Sequence, residues 1–158
     1  MILNRQTQVR ISVDSLEKFS TKVRKLLKIP AGAVTICLVS RADIAKWNRA
    51  YRGKNKPTDV LSFTTDEPST KQPFRKPPRK GRSAKSNHGG LQPYWGDIAI
   101  APAIARQNAR RFGRALNDEM RILILHGILH LMGYDHETDN GQMERREMRL
   151  RRRLGLAQ

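Results

Sequence analysis

Three of the chain's four histidines fall within eleven residues, as His126, His130 and His136 in the segment HGILHLMGYDH. His126 and His130 are four apart, and on a helix such a pair projects from one face with Cβ atoms roughly 5–6 Å apart. Two imidazoles so placed can converge on one metal ion at about 2.0–2.1 Å each. Gly133 can then end the helix and let the chain turn, bringing His136 back as a third donor. Three neutral imidazoles leave the fourth tetrahedral position to water, the pattern of a catalytic zinc site. A single histidine is more often a satisfied core residue, whereas three joined through a glycine turn point to a metal. His88 has no such company and reads as a solvated side chain in a basic stretch. Zinc peptidases of the HExxH type carry their general base directly after the first histidine. Here that position is Gly127, so the peptidase base is absent. A glycine inside a helix costs about 1 kcal/mol relative to alanine. It serves either the approach of a substrate or backbone to the metal, or close helix packing. Asp135, Glu137 and Asp139 are near enough in sequence to orient a ligand histidine or hold a water. Asp135 or Asp139 could instead close the fourth metal position.

A helix must carry His126 and His130, and the run RILILHGILHLM supplies one. Asn117 is its expected N-cap, Asp118 and Glu119 favour its N-terminal dipole, and Gly133 is a natural left-handed stop. Upstream, residues 8–12 alternate and read as a short strand. A helix capped by Asp14 or Ser15 is expected to run to about residue 28, with Leu16, Phe19, Val23, Leu26 and Leu27 on one face and Ile29-Pro30 at its end. Residues 34–40 form a β-branched apolar strand containing Cys37, and residues 42–51 a second amphipathic helix stopped by Gly53. Further strands are expected at 60–64, after the turn-like KNKPTD, and at 97–101. Pro102 suits the first turn of a helix over about 103–112, ended by Gly113. A charged helix spans about 138–153. Strands and helices interleave, so the class is α/β or α+β with a small sheet.

The chain has 158 residues, with 31 Lys and Arg against 14 Asp and Glu, and a formal net charge of +17. That length fits one domain able to bury a substantial core. Residues 1–65 hold 13 basic and 4 acidic groups, residues 66–95 hold 7 and 2, and residues 96–158 hold 11 and 8. Charge spread this widely calls for a polyanionic partner, with nucleic acid the first expectation. A membrane surface is disfavoured, because no basic amphipathic helix with a strong apolar face stands out. Residues 68–95 hold five of the eight prolines, seven basic groups and almost no aliphatic side chain. No packed core can be built from them, so they are expected to form a long loop or disordered insertion, either a basic arm on RNA or a tolerated surface insertion. The single Cys37 excludes an intrachain disulfide, which agrees with a reducing compartment. No apolar run reaches the roughly 18 residues of a membrane span, and MILNRQTQVR lacks the apolar centre of a signal peptide. The expectation is a cytoplasmic protein, neither membrane-spanning nor a disulfide-stapled secreted domain.

The histidine segment HGILHLMGYDH resembles the signature of the YbeY family of bacterial rRNA-maturation endoribonucleases. WNRAYRGKNKPTDVLSF at 47–63 resembles the family's second block and GDIAIA at 96–101 its third, in the same order over about 36–150. The resemblance implies an α+β, α/β-like fold: a single domain over 1–158, with a small mixed sheet packed by about five helices and a zinc site on a long helix and the following turn. It implies one zinc per chain on His126, His130 and His136, and a functionally important catalytic arginine at Arg52. It implies a single-strand-specific, zinc-dependent endoribonuclease that matures the 3′ end of 16S rRNA and serves ribosome quality control. Its partners would be ribosomal RNA and the small ribosomal subunit, with no membrane and no small-molecule cofactor. The chain departs from the family pattern in the longer, more basic stretch at 68–95 and in Asn55, where Asp is common; the long stretch bears on substrate selectivity. Two rival readings stand beside this one. A zinc hydrolase of another substrate, such as a peptide, is opposed by Gly127 and by the charge. A non-catalytic ribosome assembly factor with a structural zinc requires a fourth protein ligand.

Overall fold

The computed structural model describes residues 1–65, 94–135 and 137–157. In chain order its elements are β1 (Ile2–Asn4), α1 (Val13–Leu26), β2 (Val34–Leu38), α2 (Arg41–Arg52), β3 (Val60–Thr64), β4 (Gly96–Ile100), α3 (Pro102–Arg111), α4 (Leu116–Leu131) and α5 (Gln142–Leu154). The strands form one mixed sheet in the order β1-β2-β4-β3, with β1, β2 and β4 parallel and β3 antiparallel to β4. β2 (VTICL) and β4 (GDIAI) are almost wholly buried, as expected of central parallel strands covered on both faces. Successive side chains leave a strand on opposite faces. Thus Ile36, Ile98 and Ile100 join the larger core with α1, α4 and α5, while Cys37, Ala99 and Phe63 join a smaller one under α2. Burial pushes the Cys37 thiol up to about 11.

α4 is the central helix. It touches α1, α3, α5, β3 and β4 and is buried on nearly every side, which explains a sequence apolar all round. Gly127 lies where α4 crosses β4. A Cβ there would stand 2.7 Å from Ile98 Cγ2, so this glycine serves close helix–sheet packing rather than the approach of a substrate.

The sequence expectations hold for α2, β3, β4 and α3 to within one residue and differ elsewhere. The first strand lies at Ile2–Asn4, not at 8–12. The Gln6 side chain accepts from Val9 N and donates to Val9 O, both at 2.9 Å, and thereby takes the backbone groups a ladder would need. α1 begins at Val13, with Ser12 rather than Asp14 or Ser15 at its N-cap, and ends at Leu26 before Lys28, whose φ is 57°. β2 stops at Leu38, because Ser40 turns to cap α2, its hydroxyl accepting from Asp43 N at 3.1 Å. α4 begins at Leu116, so Asn117 lies inside it and Ala115 is the N-cap. α5 begins at Gln142, four residues later than the charge pattern indicated, because Gly141 has φ 77° and Asp139 collects the first amides of the helix. Of the stretch 68–95, only Tyr94 and Trp95 are among the described residues; they lead into β4, with Trp95 N donating to Ala33 O at 2.8 Å. The rest of that stretch, His88 included, lies outside them.

Candidate active site

His126 and His130 sit on the last turns of α4, and their Nε2 atoms approach to 3.1 Å. The rings meet edge to face, with centroids 4.7 Å apart. The other nitrogen of His126 is held from α5: Nδ1 lies 2.8 Å from Glu147 Oε2. Glu147 falls on the face of α5 that also carries Met143, Leu150 and Leu154, so the packing that buries these residues against the core carries a carboxylate in with them. The second Glu147 oxygen accepts from Arg151, one turn along. Burial pushes the Glu147 carboxyl up, but the hydrogen bond and charge of His126, with the Arg151 guanidinium, outweigh it and hold the group below its usual 4.5. When His126 is neutral and donates Nδ1–H to this carboxylate, its Nε2 lone pair faces the gap shared with His130. Carboxylate-held imidazoles of this kind are typical metal donors.

Both histidines open on a cavity of about 590 Å³. Arg52 and Lys54 stand on its wall, with Asp59 and Ser62 from the approach to β3 and from β3 itself. Arg52 is the last residue of α2, which ends at Gly53 with φ 64°. The turn that follows is pinned to the helix, because Asn48 Nδ2 donates to Lys56 O at 2.7 Å. Arg52 Nη2 lies 3.0 Å from Glu137 Oε1, and Lys54 Nζ lies 3.8 Å from the same oxygen. Asp59 Oδ2 accepts from Asn108 Nδ2 at 2.9 Å, which fixes the carboxylate against α3.

The turn after α4 returns to the same cavity. Gly133, at φ 92°, Tyr134, Asp135 and Glu137 all line it. His136 lies outside the described residues, but its neighbours on both sides face the cavity. Among the described residues no cluster of three metal-ligating side chains is formed. The donor chemistry of the pair nevertheless fits a cation: two nitrogens 3.1 Å apart can both reach one ion at roughly 2.0–2.1 Å. The nearby aspartates have other work. Asp135 accepts from Glu137 N and Thr138 Oγ1, both at 3.0 Å, and shapes the turn. Asp139 accepts from Gly141, Gln142 and Met143 amides at 2.7–3.1 Å and caps α5.

The structure therefore brings His126, His130 and Arg52 to one cavity. Glu147 and Asp59 escaped the sequence reading. A carboxylate on the apolar face of a helix was the available signal for Glu147; no local signal marked Asp59.

The chain matches the family model described as Endoribonuclease YbeY over residues 1–155, beyond both ends of the resemblance seen in its motifs. It is 31% identical to Endoribonuclease YbeY of Sulfurovum sp. over 154 residues, covering 98% of this chain and 90% of the relative. It is 38% identical to Endoribonuclease YbeY of Koribacter versatilis over 156 residues, covering 99% and 86% respectively. Among solved structures, the solution structure of TM1509 from Thermotoga maritima matches with TM-score 0.55 and 26% identity, covering 98% of this chain and 89% of that one. A match of this length takes in the paired histidines, the Arg52 turn and the sheet between them, and makes the chain a member of the YbeY family of endoribonucleases, hydrolases that cut RNA internally.

Proposed function

We propose that this endoribonuclease holds one zinc ion on His126, His130 and His136 and cleaves single-stranded ribosomal RNA of the small subunit in the cytoplasm, in rRNA 3′-end maturation and ribosome quality control. The observation that carries the metal assignment is the pair of Nε2 atoms 3.1 Å apart, one of them backed by a buried carboxylate. A zinc ion bound there supplies Lewis acidity toward a phosphoryl oxygen or an attacking water. Glu147 keeps the Nδ1 proton of His126 and so leaves Nε2 as the donor atom. Arg52 presents a planar fork suited to two phosphate oxygens, and the phosphate replaces Glu137 as its partner. Lys54, on the same carboxylate, adds a second positive charge to that wall. The net charge of +17 favours RNA over a peptide. Gly127 leaves the peptidase base position without a carboxylate and packs into the sheet. The structural-zinc reading needs a fourth protein ligand, and the engagement of Asp135 and Asp139 in the turn argues against either supplying it.

The test is zinc content together with cleavage of an rRNA precursor, with His130→Ala as control. One zinc per chain and zinc-dependent cleavage are expected, both lost in the control. Full zinc occupancy in His136→Ala would remove the three-histidine site. End-group analysis of the products separates attack by water from attack by the RNA 2′-hydroxyl, which leaves a cyclic phosphate.

A further inference from the structure

Helix α5 carries a charge pattern that the chemistry of the cavity does not use. Its thirteen residues include six arginines and two glutamates. Met143, Glu147, Leu150 and Leu154 are buried on its inner face. At 3.6 residues per turn, Arg145, Arg149 and Arg152 fall in one narrow strip directly opposite that face, with Arg153 at its edge. All four are exposed, whereas Arg151 turns in to Glu147 and Arg146 is half-buried. Among the described residues none of the four forms an ion pair with a carboxylate. A solvated helix face usually mixes signs at i,i+4, and like charges at that spacing destabilise the helix. This strip has the repulsion without the compensation.

The strip also continues the cavity. The floor at Gly133, Tyr134 and Asp135 is shared with an adjoining groove of about 530 Å³ that reaches Asn140 and Gln142, the first residue of α5. Both aspartates of that groove are engaged by the turn and by the α5 amides. At its far end Arg145 is fixed, its Nη1 donating to Asn140 O at 3.0 Å. From there the strip extends about 12 Å along the helix. A basic amphipathic helix can also lie on a membrane, but it needs a free apolar face, and the apolar face of α5 is buried in the core.

We propose that Arg145, Arg149, Arg152 and Arg153 form a phosphate track that holds the RNA strand where it leaves the cavity over the groove lined by Gly133, Tyr134, Asn140 and Gln142. The proposal rests on the reading of the cavity as the site of RNA cleavage. It is tested with the triple variant Arg149→Gln, Arg152→Gln, Arg153→Gln, assayed on two single-stranded oligonucleotides. One is just long enough to fill the cavity; the other reaches past the groove. Affinity by fluorescence anisotropy, KM and kcat are measured across a salt series. On the longer RNA the variant should bind about 10–100-fold more weakly at about 50 mM salt, and its slope of log affinity against log salt should be shallower by about 2. On the short RNA affinity and kcat should stay within about twofold of the parent, and the melting temperature should not change, since the three side chains are exposed. An unchanged slope on the longer RNA, or equal losses on both lengths, overturns the track. Retained RNA binding with lost binding to vesicles of anionic lipid also overturns it and gives the face to a membrane. If the parent cleaves neither RNA yet the slope still changes on the longer one, the track stands and the cleavage reading falls.

Discussion

Arg52 shows what one side chain contributes when its position is fixed by its neighbours. It is exposed enough for its pair with Glu137 to be worth only about 0–1 kcal/mol of stability, so Arg52→Ala should fold and load zinc as the parent does. If its guanidinium meets charge developing on the scissile phosphate, turnover should fall by the equivalent of about 2–4 kcal/mol, with a smaller change in KM. Arg52→Lys keeps the charge without the fork and should be impaired as well. Steady-state kinetics on an rRNA fragment, with metal analysis and melting curves, read all three; parent-like cleavage by folded, zinc-loaded Arg52→Ala would sink the assignment. Glu147 offers a second test. In Glu147→Gln the amide can present N–H to His126 Nδ1, which drives the proton to Nε2 and blocks the donor atom. Zinc affinity, measured by competition with a chelator, should drop about 10–100-fold. An unchanged affinity would mean that Glu147 only packs.

At the scale of elements, the junction of α4 with α5 and β4 decides whether the site exists. In the metal-free protein the Glu147 carboxyl is held below its usual 4.5 by His126 and Arg151 despite burial. A carboxyl depressed on folding contributes stability in full above its unfolded value and loses it as pH falls through its folded value. The melting temperature of the metal-free parent should therefore fall more steeply below about pH 4.5 than that of Glu147→Gln; parallel curves would show the pairing to be energetically idle. At the other contact, Gly127→Ala gains helix propensity of about 1 kcal/mol but drives a methyl into the fully buried Ile98, and overpacking of this kind costs about 1–3 kcal/mol. A net loss of up to about 2 kcal/mol is expected, a melting temperature lower by up to roughly 6 °C. These junctions also mark how far the sequence was legible. The helical spacing of His126 and His130 is local, and so was the β-branched run of β2; both were readable. β1 is only three residues long, too short for a period, and its place is set by the pairing of Ile2 with Ile36. Glu147 meets His126 across 21 residues, and only the packing of α5 on α4 brings them together. Arg52 stood out through family resemblance, since nothing in its own composition separates it from the other basic residues.

For the molecule as a whole, the distribution of charge sets how RNA is held, and the long stretch after β3 is its largest separable part. Residues 66–95 carry seven basic and two acidic groups, so their removal takes a net +5 from a total of +17. The structure shows why removal should be tolerated. β3 and β4 are antiparallel neighbours in register, with Thr64 opposite Gly96, and Thr65 N donates to Trp95 O at 3.1 Å. The chain thus leaves and re-enters the sheet at adjacent points, which a short turn can join without disturbing the ladder. Trp95 N is tied to Ala33 O beside the sheet, and Gly96, the first residue of β4, lies so close to Phe63 O that no Cβ fits, so both must be kept. Replacing residues 66–93 with a tight turn should leave zinc content, the melting transition and cleavage of a short oligonucleotide at parent values. If the stretch reaches RNA, the affinity for longer RNA should fall and its salt slope should become shallower by about 0.7 for each phosphate it neutralised. The α5 variant should then add its own decrement to the slope, because the two sets of cations would contact different phosphates. A slope unchanged by the replacement would mean that the stretch does not touch RNA, and that RNA is held by the cations of the folded body alone.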